Sequence, residues 1–396
     1  MKLTLSPAKL TGTVAAIPSK SQAHRLLILS AFADRPTKLL CPRTSRDIEA
    51  TALCLNALGA EITGTPEGYL VKPVTSVPEK AVLPCGESGS TLRFLLPIAG
   101  ALGVDGVFQL EGRLPCRPLS PLWEEMERMG CTLSRPTAAT VRCCGRLRSG
   151  EYSIDGGVSS QFITGLLFAL SLLEEKSTLR IIGKTESLPY IQMTCAALSR
   201  FAGPVGVLPD GYEVSPVPFR SPGEIQVEGD WSNAAFWYVA NALGSGISVT
   251  GMDPDSPQGD RALPECLKQL EHNCVIDASH IPDLVPILSV VAGAREGAVF
   301  INAGRLRLKE TDRLATTAAL IQNIGGSADI RGDSLIIRPA PYTGGTVDAT
   351  GDHRIAMAAA IAATVSAGPV TVIGAEAVEK SYPAFWQDYK SLGGSL

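Results

Sequence analysis

A chain of 396 residues with 45% hydrophobic residues is too long for one ordinary core and has apolar material for two, so a globular protein of two domains is expected. Its 35 Lys plus Arg against 39 Asp plus Glu leave a formal charge of -4, and 6% of its residues are aromatic, which argues against a nucleic-acid partner held by counterion release or base stacking. Ten cysteines without a CxxC pair indicate neither a zinc site nor a disulfide framework, and no run reaches the roughly 20 apolar residues of a bilayer crossing, so a cytoplasmic location without membrane contact is expected.

In chain order, six segments open on polar residues and continue as almost wholly apolar helical runs: Lys20 to Ala33, Ser88 to Leu102, Ser159 to Leu173, Asp230 to Leu243, Pro282 to Ala294 and Asp352 to Thr364. Their starts are 68, 71, 71, 52 and 70 residues apart, so the chain repeats with one short interval. A helix apolar on every face and shorter than a membrane span is a buried helix. A second, amphipathic series alternates with the first: Asp47 to Leu58, Pro121 to Met129, Tyr190 to Phe201, Ala262 to Leu270, Glu310 to Ile324 and Tyr382 to Leu392. Five of these six close at a glycine (Gly59, Gly130, Gly203, Gly325 and Gly393), as left-handed helix stops require. Short alternating stretches such as Ala60 to Thr63 and Ser327 to Ile330 then read as strands.

Each repeat therefore holds one buried helix, one surface helix and short strands. Six repeats divide into two α/β domains of three. Pro18 precedes the first buried helix and a proline-rich stretch from Pro204 to Pro222 precedes Asp230, which places the domains at 20–228 and at 1–19 plus 229–396.

The helix openings carry Lys20, Ser21 and Arg25; Ser88, Gly89, Ser90 and Thr91; Ser159, Ser160 and Gln161; Asp230; Asp283; and Asp352, His353 and Arg354. Helix N-termini present unpaired N–H groups and a partial positive charge, so several converging on one place suit phosphates and carboxylates. Capping alone accounts for Ser88, Ser159 and Asp230. It does not account for Lys20, or for Arg25 and Arg354 inside apolar helices, where an unpaired charge is costly. Arg307-Leu-Lys309-Glu310-Thr-Asp312-Arg313 puts five charges in seven residues before a surface helix, which by itself is also what a solvated helix start looks like. Arg117 and Lys380 lie in proline-flanked segments with no structural reason to be cationic.

Taken together, Pro18-Ser-Lys20-Ser21 to Arg25, Gly86-Glu-Ser-Gly89-Ser-Thr-Leu-Arg93, Arg117-Pro, Ser159-Ser-Gln161-Phe, Gly229-Asp230, Ile281-Pro-Asp283, Arg307 to Arg313, Asp352-His-Arg354 and Lys380-Ser-Tyr-Pro383 closely resemble the 5-enolpyruvylshikimate-3-phosphate synthase family of enolpyruvyl transferases, from Lys20 to Pro383. The resemblance implies a two-domain inside-out α/β barrel of six βαββαβ-type repeats, with buried parallel helices aimed at an interdomain cleft. It implies transfer of the enolpyruvyl group of phosphoenolpyruvate to the 5-hydroxyl of shikimate 3-phosphate through a tetrahedral adduct, without metal or organic cofactor, by a monomer.

By the same resemblance, Lys20, Ser21, Arg25, Ser159, Ser160, Gln161, Ser187, Asp283 and Lys309 are expected to hold shikimate 3-phosphate. Lys20, Gly89, Arg117, Gln161, Arg313, Arg354 and Lys380 are expected to hold phosphoenolpyruvate. Asp283, Glu310 and Lys20 are expected to move protons. Glu87, where the family more often has asparagine, and Phe94, where some members have proline, depart from the pattern; a carboxylate facing phosphoenolpyruvate would repel it, so Glu87 is expected to turn away or pair. Two rival readings are a UDP-N-acetylglucosamine enolpyruvyl transferase, whose loop cysteine lies a few residues ahead of the matching arginine whereas Cys116 directly precedes Arg117, and a non-catalytic phosphometabolite-binding relative, which would have lost Asp283 or Glu310.

Overall fold

The computed structural model describes every residue except Thr350. Along the chain, buried and surface helices alternate: α1 (Lys20–Ala31), α2 (Arg46–Ala57), α3 (Gly89–Leu102), α4 (Leu122–Arg128), α5 (Ser160–Ser171), α6 (Leu188–Phe201), α7 (Trp231–Ala242), α8 (Leu263–Gln269), α9 (Val285–Ala294), α10 (Arg313–Asn323), α11 (His353–Ala363) and α12 (Phe385–Ser391). The odd-numbered six are the apolar ones, and in α11 every residue is buried. Each fully buried Leu, Ile or Phe in them contributes roughly 1.5–3 kcal/mol. Their starts are fixed by side-chain caps: Ser19, Ser88, Ser159, Asp230 and Asp352 each accept a hydrogen bond from a first-turn N–H of α1, α3, α5, α7 and α11 respectively. The five glycines that close surface helices all have positive φ, between 88° and 115°.

Tertiary contacts separate the chain into two units, Pro18–Val227 and Met1–Ile17 with Glu228–Leu396, each with its own apolar core. In the first, three four-stranded sheets share one plan. For example, Lys80–Gly86 runs parallel to Asp105–Leu110, which is antiparallel to Thr140–Gly145, which pairs in turn with Cys131–Ser134. The order within a repeat is β-α-β-α-β-β, which corrects the expected βαββαβ order. A single strand returns from the buried helix by a parallel crossover, and the surface helix is followed by a two-stranded hairpin.

Two strands are exchanged where the chain passes between units. Thr11–Ala15 precedes α1 but pairs with Gly246–Thr250 of the second unit, and Glu224–Gln226 precedes α7 but pairs with Thr37–Leu40 of the first. The short 52-residue interval has a plain cause: among the described residues, α8 is followed directly by the strand Cys274–Asp277, without the hairpin that follows α4. No helix among the described residues is long and apolar enough to cross a membrane.

Helix α3 contains Pro97, which donates no hydrogen bond to the carbonyl of Arg93. Gly165 of α5 packs against that same carbonyl so closely that a Cβ would collide with it. The absent side chain lets two buried helices touch through their backbones and fixes where Arg93 emerges.

Candidate functional site

In the first unit, the opening turns of α1, α2, α3, α5 and α6 meet at one end. Arg25 is buried at 2% exposure, with Nε 2.9 Å from Thr194 Oγ1, Nη1 2.5 Å from the Ser21 carbonyl and Nη2 2.8 Å from the Tyr190 carbonyl. Its guanidinium stands 5.2 Å from the centroid of Phe94. None of these partners is a carboxylate. Burial lowers its hold on the proton to about 10, as expected of a cation whose counter-charge is not supplied by its neighbours. Phe94, a departure from the family pattern, thus supplies an apolar wall for Arg25.

Lys20 pairs with Asp47 at 2.7 Å, both largely buried. Gln161 spans two helices: its Nε2 donates to Ser90 Oγ at 2.9 Å, and its Oε1 accepts from Arg93 Nη1 at 2.7 Å. The guanidinium of Arg117 lies over Gly89, where a Cβ would come within 2.6 Å of Nη1. Arg117 Nε is buried and has no hydrogen-bond partner among the described residues. Ser159 caps α5, Ser160 is buried behind it, and Ser187 precedes α6 in a left-handed conformation (φ 54°) that a non-glycine residue rarely adopts. Glu87 is exposed and its carboxyl group lies against Gly112.

A buried hydroxyl chain ties these turns together. His24 Nδ1 is 2.7 Å from Thr51 Oγ1, Thr51 is 2.6 Å from Thr91 Oγ1, and Thr91 donates to Ser88 Oγ at 2.7 Å. Burial pushes His24 down to about 3, so it is neutral in the folded protein. Unfolding frees an imidazole that takes up a proton below its ordinary value near 6.5. This stability is therefore fully present above about pH 6.5 and is lost as pH falls toward 3, by on the order of 4 kcal/mol at most. His24→Asn should flatten the fall of Tm between pH 6.5 and 4 relative to the parent; equal slopes would count against a neutral buried His24.

In the second unit a dense ionic network gathers around Asp283, just ahead of α9. Its Oδ1 accepts from Arg313 Nη1 at 2.7 Å and Lys309 Nζ at 3.2 Å, and its Oδ2 accepts from Arg354 Nη2 at 3.2 Å. Arg313 also binds Asp352 through Nε at 2.9 Å and Glu310 through Nη2 at 2.5 Å. It is 1% exposed. Burial opposes the charge on Asp283, but Arg354, Lys309 and Arg313 outweigh it and hold the carboxyl well below the usual range. The same opposition runs in reverse at Arg313, where burial is outweighed by Asp352, Glu310 and Asp283, and the guanidinium is held more firmly protonated than usual. Burial lowers Lys309 in spite of Asp283. Lys380 ends a 3-10 turn beside Ser381, whose hydroxyl reaches Asn233 in the first turn of α7. Arg307 bonds Asp312 and the Gly332 carbonyl, and Asp312 caps α10, so these two shape the segment.

Hydrogen bonds and ion pairs connect Asp283, Lys309, Glu310, Arg313 and Arg354 in the second unit, while Lys20, Arg25 and Gln161 are held at the helix openings of the first. Arg93 was absent from the expected contacts although it carries the same signal as Arg25, a charge inside an apolar helix. Asp47 and Asp260, which hold or face the cations, sit in segments whose patterns carry no such signal.

A family model described as EPSP synthase (3-phosphoshikimate 1-carboxyvinyltransferase) matches residues 5–279 and 272–389. The chain is 38% identical to the 3-phosphoshikimate 1-carboxyvinyltransferase of Clostridium kluyveri, over 100% of this chain and 98% of that protein. It is 36% identical to that of Clostridioides difficile, with the same coverage. Among solved structures, EPSP synthase from Acinetobacter baumannii aligns with a TM-score of 0.81 at 22% identity over 100% of both chains. The enolpyruvyl transferase NikO from Streptomyces tendae aligns at 0.78 and 18%, over 100% of this chain and 97% of that one. At such identities the likeness bears on the fold, and it is to the inside-out α/β barrel.

Proposed function

This chain belongs to the EPSP synthase family, and on that footing we propose that it transfers the enolpyruvyl group of phosphoenolpyruvate to the 5-hydroxyl of shikimate 3-phosphate, giving 5-enolpyruvylshikimate 3-phosphate and phosphate. The observation that best supports this reading is the network in which Asp283 and Glu310 share Arg313 while Lys309 and Arg354 also hold Asp283. Two acids are kept within reach of three cations, as a reaction needs that handles anions and moves protons. The reading extends to a monomer working in the cytoplasm without a metal or organic cofactor.

Shikimate 3-phosphate is assigned to Lys20, Ser21, Arg25, Ser159, Ser160, Gln161, Ser187, Asp283 and Lys309. The buried, carboxylate-free surroundings of Arg25 favour an anion arriving from outside. Phosphoenolpyruvate is assigned to Lys20, Gly89, Arg117, Gln161, Arg313, Arg354 and Lys380; the missing side chain of Gly89 lets the Arg117 and Arg93 guanidinium groups come together over its backbone, a pair of cations suited to a phosphate or carboxylate.

In the chemical step the 5-hydroxyl oxygen bonds to C2 of phosphoenolpyruvate, its proton leaves to Asp283 with help from Lys20, and a proton from Glu310 reaches the methylene carbon. Removal of a proton from the resulting methyl group then re-forms the double bond as the C–O bond to phosphate breaks. A carboxylate held as low as Asp283 is a weak base. Incoming phosphate and carboxylate groups compete for Lys309, Arg313 and Arg354, which loosens their grip and strengthens Asp283 as a base when substrate is present. Turnover of phosphoenolpyruvate with shikimate 3-phosphate, compared with turnover against UDP-N-acetylglucosamine, tests the assignment. Product is expected with the first acceptor only, and product with the second alone would refute it.

A further inference from the structure

Beneath the ionic network lies a fourth carboxyl group that the proposed chemistry does not use. Asp260, in the turn Gly259–Ala262 before α8, is 1% exposed. One of its oxygens accepts a hydrogen bond from the Ser232 hydroxyl. The other, Oδ1, is buried and has no hydrogen-bond partner among the described residues. The groups facing it are Asp283 ahead of α9, Arg354 in α11, the α7 cap Asp230, and the Cys266 thiol of α8. Ser232 links it to the site, because the Ser232 carbonyl accepts from Arg354 Nη1 at 3.4 Å, and that same nitrogen reaches the Asp283 carbonyl at 3.3 Å.

A buried carboxylate with one bond and a bare oxygen, next to a second carboxylate, is a poor home for negative charge; a neutral acid fits there. We propose that Asp260 is a positioning residue whose charge state sets how firmly Arg354 is held back from an incoming anion. Neutral, it leaves Arg354 to Asp283 and to the ligand. Ionised, it adds a buried negative charge that competes for Arg354 and repels phosphoenolpyruvate. Burial first, and Asp283 second, push its ionisation up to about 7, which places the change in the working pH range. The proton comes from solvent and returns to it, so no further reactant is needed. This role rests on the proposed function where it concerns phosphoenolpyruvate, and on the fold alone where it concerns ionisation.

Two measurements on the full-length protein separate these parts. In kcat/KM for phosphoenolpyruvate, the ratio between pH 6 and pH 8.5 should be about tenfold larger in the parent than in Asp260→Asn, since ionisation of the substrates affects both alike. Ser232→Ala, which removes the one bond favouring the anion, should move the parent's fall toward higher pH. Independently of turnover, a carboxyl raised in the fold favours unfolding as pH climbs from about 4 to about 7. The Tm of Asp260→Asn should therefore gain on that of the parent across that window. Parallel pH profiles in a protein that turns over both substrates would overturn the positioning role, and parallel Tm slopes would overturn the neutral acid. If Asp260→Asn does not fold, an unmoved profile in Ser232→Ala overturns the proposal.

Discussion

Glu310→Gln should lower kcat by about a hundred- to ten-thousandfold while leaving the KM of both substrates within a fewfold of the parent, because a positioned acid or base contributes about that much to a proton transfer. Glutamine keeps an oxygen for Arg313 Nη2, which the parent holds at 2.5 Å, so the cation stays in place and only the exchangeable proton is lost. The substitution should also leave Arg313 buried and paired, since Asp283 and Asp352 still hold it. Steady-state kinetics with separate titration of each substrate checks this. Turnover near that of the parent would remove Glu310 from the chemistry, and a rise in KM at unchanged kcat would recast it as a binding group.

Arg25→Met should weaken shikimate 3-phosphate binding by about thirtyfold to several thousandfold, the consequence of losing about 2–5 kcal/mol when one partner of a desolvated charge pair is removed. Stability should hold or rise. Arg25 is buried among hydroxyls, carbonyls and the Phe94 ring with no carboxylate, and replacing such a cation by an apolar side chain of similar volume relieves its desolvation. The opposite signs of the two effects make the test sharp: calorimetric titration with shikimate 3-phosphate gives one, thermal unfolding the other. A variant that binds shikimate 3-phosphate normally but melts far lower would make Arg25 a structural residue.

Much of this was legible in the chain because burial leaves a periodic trace. The six helices from α1 to α11 announce themselves as apolar runs, and the five closing glycines mark where surface helices stop. The short interval was visible as a number, but its cause was not, since the loss of one hairpin after α8 leaves no residue to signal it. Strand exchange between the units was equally hidden: Thr11–Ala15 and Glu224–Gln226 are chosen by partners more than two hundred and nearly two hundred residues away, and local pattern carries no such information.

At the site, lone charges in apolar helices picked out Arg25 and Arg354. The same rule would have found Arg93, and Pro97 beside it would have explained the close approach of Gly165. Arg313 was expected to await a ligand, yet three carboxylates already surround it. Only the fold reveals that, because Asp283, Glu310 and Asp352 come from three segments. Asp260 is the extreme case, a carboxyl in a Gly- and Pro-containing turn whose burial depends wholly on what packs over it.

The most direct test is to run phosphoenolpyruvate and shikimate 3-phosphate with the protein in heavy water and follow both products by nuclear magnetic resonance. Addition of solvent-derived hydrogen to the methylene carbon and its later loss predict phosphate and the enol ether in equal amounts, with deuterium in the vinyl methylene. Phosphate without enol ether, or enol ether formed with no deuterium at that carbon, would contradict it.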